Sequence, residues 1–124
     1  MKECLLVGAG GALGSMLRYL LGQLPVYTLF PVITFLINVM AAVAMGFFTA
    51  WLEIRTGGGG ALSLLLRTGF CGGFSTLSAL SLEVVTLSQT HHVVLAAAYA
   101  AFSLLLCLAG ILLGEFLAGA LLAK

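Results

Sequence analysis

Glu83 closes a dense polar run inside an otherwise apolar stretch, and that run carries most of the chemistry available to this chain. The run reads Gly69-Phe70-Cys71-Gly72-Gly73-Phe74-Ser75-Thr76-Leu77-Ser78. Paired glycines and hydroxyl residues in mid-stretch favour a broken helix, whose freed carbonyl and N–H groups need partners. Freed carbonyls suit a small hard cation, whereas N–H groups and helix N-termini suit an anion. The alternative is a kink filled by packing and by hydroxyls bonded back to the helix. Two more polar sets fall at helical spacing: Thr34 with Asn38, and Tyr99 with Ser103 and Cys107. They can be interhelical hydrogen-bond glue. They can also form a ladder of neutral donors for a dehydrated anion, which a fixed positive charge at short range would trap.

The remaining ionisable groups in apolar sequence each have two readings, because a charge inside a bilayer is costly. Arg18 lies about two helical turns before Pro25, where it either snorkels to the interface or lines a water-filled vestibule. Arg67 sits about one turn inside its stretch, where snorkelling is the simpler expectation. Glu115 is deep in the last stretch, but an overlong helix would carry it into water.

The elements that must position these groups are membrane helices. The chain has 124 residues, of which 62% are hydrophobic and 7% charged, with a mean hydropathy of +1.23. A soluble domain of this size would expose aggregating patches. Four stretches are long enough to span a hydrocarbon core as helices. They run from about Cys4 to Leu24, Pro31 to Leu52, Ala61 to Ser88, and Val93 almost to Lys124. Pro25 stops the first, Pro31 suits a first turn, and the Gly57–Gly60 run connects the second and third. The fourth should tilt or overrun the bilayer. The expected fold is therefore an all-α integral membrane protein, a single four-helix domain over residues 1–124 with a break in its third helix. A cleaved secretory leader is disfavoured, because the first stretch is long, contains Arg18 and lacks a clear cleavage site.

Four spans put both termini on one face with the loop around Arg55. That face carries Lys2, Arg55 and Lys124 with Arg67 close by, which leans toward cytoplasmic termini. The net charge of +1 gives no basis for a nucleic-acid partner. Cys4, Cys71 and Cys107 suit packed free thiols better than disulfides or a metal site. Three glycine pairs four apart, Gly10 with Gly14, Gly69 with Gly73 and Gly110 with Gly114, predict close helix packing. Four short helices enclose little interior, so an aqueous path would need a second copy.

These residues resemble the CrcB/Fluc fluoride channel family. Gly10 to Tyr19 is similar to that family's Gly-Gly-x-x-Gly-x-x-x-Arg-Tyr/Trp signature. Asn38 stands where the family places a pore asparagine, with Thr34 one turn before it. Gly69 through Glu83 resembles its Gly-Phe-Cys-Gly-Gly-x-Thr-Thr-Phe-Ser-Thr-Phe-Ser-x-Glu segment. Tyr99, Ser103 and Cys107 match its Tyr-x-x-x-Ser-x-x-x-Ser track.

The resemblance implies a multi-pass protein of the cell (inner) membrane, built as an antiparallel dual-topology dimer. It implies two pathways along the subunit interface through which fluoride leaves the cytoplasm passively. It also implies a structural Na+ at the dimer centre, held by backbone carbonyls of Gly72 and Ser75. Arg18 would sit in a vestibule, and Asn38, Ser78, Tyr99 and Ser103 would form the polar track, with Thr34 and Glu83 beside it. Leu77 and Leu80 occupy the places of the family's two phenylalanines, and Ala79 and Cys107 replace a threonine and the last track serine. A ring edge is electropositive, whereas a leucine methyl offers an anion almost nothing. Either fluoride passes on hydroxyls and Asn38 in a homodimer, or this subunit is degenerate and pairs with a related subunit that supplies the rings. A small proton-coupled multidrug exporter is the rival transporter, but it would want a carboxylate inside the first span, where this chain has Arg18. An intramembrane enzyme fits least, since neither serine run comes with a base, and His91 and His92 read as solvated loop residues.

Overall fold

The computed structural model describes residues 1–122. Lys124, expected on the same face as Lys2, lies outside the described residues. Four helices are long and apolar enough to cross a membrane: Lys2–Gly22, Val32–Thr56, Ala61–Gln89 and Val93–Leu122. Among the described residues the structure is all-helical, as the four apolar stretches predict, and the chain is a multi-pass membrane protein.

The helix ends follow from local chemistry. The first helix stops two residues short of the expected Leu24, because its last turn tightens: Gln23 N–H donates to Leu20 O and Leu24 N–H to Leu21 O. Pro31 precedes the second helix rather than joining it, and its carbonyl accepts the first helical bond from Phe35 N–H at 3.1 Å. That helix runs one turn beyond the expected Leu52. It ends at Gly57, left-handed at φ 70°, where Gly58 N–H reaches back to Leu52 O. The left-handed φ at Gly57 favours a residue without a Cβ. The fourth helix has 30 residues, or about 45 Å at 1.5 Å per residue, and therefore overruns a hydrocarbon core of about 30 Å.

The third span is interrupted, and in a more elaborate way than its composition suggests. After one turn at Ala61–Ser63 it widens to a π-helix over Leu64–Cys71, returns to α geometry for Gly72–Phe74, and then breaks. Ser75 (ψ 156°) and Thr76 (ψ 105°) are extended before the chain resumes a helix at Leu77–Gln89. π-Helical turns are rare and concentrate at functional sites.

The helices pair out of chain order. The first packs on the N-terminal half of the third, and the second packs on the fourth. All three predicted glycine pairs lie in these seams. A Cβ at Gly69 would lie 2.9 Å from Gly10 Cα, and one at Gly73 would lie 2.9 Å from Gly11 Cα. Gly114 closes on the backbone of Val43 and Phe47, and Gly110 meets Val43 and Ala42. Gly46, not singled out by spacing, meets the Ile111 backbone in the same seam. Leucines 104, 105, 112 and 121 and Phe116 of the fourth helix point outward, exposed to whatever surrounds the subunit.

Candidate functional site

Asn38 organises the break. It is buried on the second helix, its Nδ2 donates to Thr76 O at 3.1 Å, and its Oδ1 accepts from Thr76 N–H at 2.7 Å. A side-chain amide offers one donor and one acceptor with the spacing of a peptide, so it satisfies both backbone groups of an extended residue. Thr76 in turn caps the second half of the span, its Oγ1 accepting from Ala79 N–H at 3.2 Å and lying 3.3 Å from Ser78 Oγ.

The carbonyls around the break divide into held and free. Cys71 O accepts from Ser75 N–H, and Thr76 O accepts from Asn38. Gly73 O takes the first helix instead: Arg18 Nε donates at 3.2 Å and Ser15 Oγ at 3.4 Å. Among the described residues no hydrogen bond reaches Gly72 O, Phe74 O or Ser75 O. Of those three residues Phe74 is buried, while Gly72 and Ser75 are exposed on the subunit surface. Two unpaired oxygen donors, one on each side of the Phe74 turn, are the ligand type that a hard alkali cation takes.

A second cluster joins three helices at Glu83. Thr34 Oγ1 donates to Glu83 Oε1 and Tyr99 OH donates to Oε2, each at 2.6 Å. The carboxylate is half-buried and Tyr99 is fully buried against Phe30, whose ring meets it edge-on with centroids 5.2 Å apart. Glu83 thereby locks the C-terminal half of the third span to the second and fourth helices.

Two recesses flank the break. The larger, about 500 Å³, is lined by Asn38, Ser75, Leu77, Leu80, Ser103 and Cys107 among others. Its wall is apolar except for a few donors, and Ser103 Oγ is buried there with no hydrogen-bond partner among the described residues. Buried hydroxyls are rarely left unpaired. The smaller recess, about 340 Å³, is lined by Arg18, Ser15, Thr34 and Thr76 on the opposite flank. Arg18 therefore neither snorkels freely nor stands apart: it lines a cleft and grips the break.

The residues predicted for the site fall into three groups. Arg18, Asn38, Ser78, Gly72 and Ser75 gather at the break, Thr34, Glu83 and Tyr99 at the carboxylate, and Leu77, Leu80 and Ser103 along the larger recess. Glu115 is exposed on the fourth helix and takes no part. Arg67 differs from its expected snorkelling, since its Nε is buried without a hydrogen-bond partner among the described residues. Ser15 was not singled out in the sequence, and Thr76 stood in the polar run without a role of its own. Ser15 was legible in hindsight, three residues before Arg18 on the same helix face.

Residues 5–115 match the family model described as "CrcB-like protein, Camphor Resistance (CrcB)". The chain is 44% identical over 124 residues to a protein of Roseobacter denitrificans named "Fluoride-specific ion channel FluC", covering 95% of this chain and 96% of the relative. A protein of the same name from Novosphingobium aromaticivorans is 41% identical over 119 residues, covering 92% and 94%. One from Ignicoccus hospitalis is 38% identical over 123 residues, covering 98% and 99%. With a match spanning all four helices and the break in the third, the chain belongs to the CrcB family.

Proposed function

We propose that this chain is a subunit of a fluoride-specific channel that lets F− leave the cytoplasm passively across the cell membrane. The observation that carries the reading is the larger recess. It is an apolar wall bearing isolated neutral donors, Asn38 and the unpartnered Ser103 hydroxyl, beside the N-terminus of the Leu77–Gln89 helix. Neutral donors and a helix N-terminus lower the cost of stripping water from a small anion without trapping it. The relatives' name supports fluoride as that anion.

In this reading two copies meet antiparallel across the exposed faces, turning each open recess into a pathway. Arg18 gathers anions in the smaller recess, Asn38, Ser78 and Ser103 carry them past the break, and Thr34, Glu83 and Tyr99 brace the helices around it. A sodium ion at the dimer centre fits the exposed, unpaired carbonyls of Gly72 and Ser75, to which it would give a fixed positive charge joining the copies. The chain does no covalent chemistry.

A second reading has one specific observation in its favour. Leu77 is 76% exposed and lines the recess with Leu80, where the resembling family carries phenylalanines. On that reading the chain conducts only beside a related subunit that supplies the rings. Reconstitution of the purified protein alone in liposomes, with fluoride efflux followed by an electrode and chloride as control, tests both. Rapid fluoride efflux without chloride leakage establishes a self-sufficient channel, whereas silence from folded protein establishes dependence on a partner.

A further inference from the structure

Asn38 does more than offer a donor to the recess. In an uninterrupted helix Thr76 N–H would bond the carbonyl four residues earlier, which is Gly72 O. Here that N–H is taken by Asn38 Oδ1 at 2.7 Å. The preceding turn is still in register, since Ser75 N–H bonds Cys71 O at 3.0 Å. The helical ladder is therefore intact up to Ser75 and is diverted at the next rung by one side chain. Asn38 Nδ2 completes the diversion by binding Thr76 O, which fixes Thr76 in its extended conformation at φ −149°.

We infer that Asn38 is a positioning residue for the cation site: by withdrawing Thr76 N–H from the helix, it keeps the Gly72 carbonyl unpaired and available to a sodium ion. The inference rests on the channel reading for the identity of that ion, and it links the two ions of that reading through a single side chain on the second helix. Loss of the Asn38 acceptor returns Thr76 N–H to Gly72 O, closes the break by one rung and removes an oxygen donor from the cation. Anion passage then fails for two separable reasons, a missing donor in the recess and a missing cation at the dimer centre. Ser103 lines the same recess but touches neither Thr76 nor Gly72, so its removal affects the first reason alone.

The test is the sodium dependence of thermal unfolding in detergent, with N-methylglucamine replacing sodium at constant ionic strength, read beside fluoride efflux. Three variants are compared with the unsubstituted protein. Asn38→Ala should lose the sodium-dependent rise in melting temperature, or require at least tenfold more sodium to reach it. Ser103→Ala should lower efflux and keep the sodium response unchanged. Asn38→Asp retains an oxygen acceptor for Thr76 N–H, and it should keep the sodium response even where efflux falls. An Asn38→Ala protein with the sodium response of the parent overturns the inference. So does an Asn38→Asp protein that has lost it, which decides the matter should Asn38→Ala not fold. A parent protein without any sodium response also overturns it. A parent that responds to sodium through Asn38 yet passes no fluoride would leave the inference standing and reject the self-sufficient channel.

Discussion

Asn38 and Thr76 meet as one peptide meets another across a β-ladder, with the side-chain amide donating at 3.1 Å and accepting at 2.7 Å. Both backbone groups of Thr76 are thus satisfied inside a membrane span, where no water would replace Asn38. Asn38→Leu keeps the volume and removes both bonds. It should lower stability by about 1–3 kcal/mol, since Thr76 N–H can return to Gly72 O while Thr76 O is left unpaired. Unfolding in detergent measures the loss, and a change near zero would show that Thr76 finds other partners.

The Glu83 carboxylate accepts from two hydroxyls on two different helices, so each bond should depend on the other through a shared acceptor. Tyr99→Phe and Thr34→Val should each cost about 1–3 kcal/mol, the range for removing one partner of a buried hydrogen bond. A double-mutant cycle with Glu83→Gln should return a coupling energy of about 0.5–3 kcal/mol. Additive losses would place Glu83 outside a common network.

Glycines in this chain should divide sharply in their tolerance of alanine. A Cβ at Gly14 would lie 2.7 Å from Phe74 N and 3.1 Å from Gly73 C, while Gly8 has nothing within 4 Å. Gly14→Ala should therefore force the first helix off the break and cost about 1–3 kcal/mol. Gly8→Ala should be neutral or stabilising by about 0.5–1 kcal/mol. Melting temperatures of the two proteins, measured side by side, check the contrast.

Leu77 and Leu80 sit one helical turn apart and both line the larger recess. Replacing both by phenylalanine should raise fluoride efflux of the protein reconstituted alone, because a ring edge stabilises an anion and a methyl does not. Unchanged efflux with intact folding would assign passage to the hydroxyls and Asn38.

Much of this arrangement was legible in the sequence. The four spans are set by length and hydropathy, and proline and glycine place their ends within a turn. The glycine and hydroxyl run from Gly69 to Ser78 announced a break because no regular helix needs that composition. The π-helix at Leu64–Cys71 was not legible. Hydropathy along Leu64 to Cys71 is compatible with either helical pitch, and the wider turns fall where this segment packs closely on the first helix. Nor could spacing show that Asn38 reaches Thr76 rather than a hydroxyl on the fourth helix. A polar residue's sequence position gives its own helix face, but the partner depends on which helices become neighbours.

The alternate pairing of the helices has a consequence for biosynthesis. The first helix finds its glycine seam only on the third, and the second finds its seam only on the fourth. As the chain emerges, neither of the first two spans can settle against the span made next. They must wait, side by side and largely unpacked, until the ribosome has delivered their partners. Assembly is therefore closed by the last span, and a chain truncated after the third leaves the second helix with its glycine seam facing lipid.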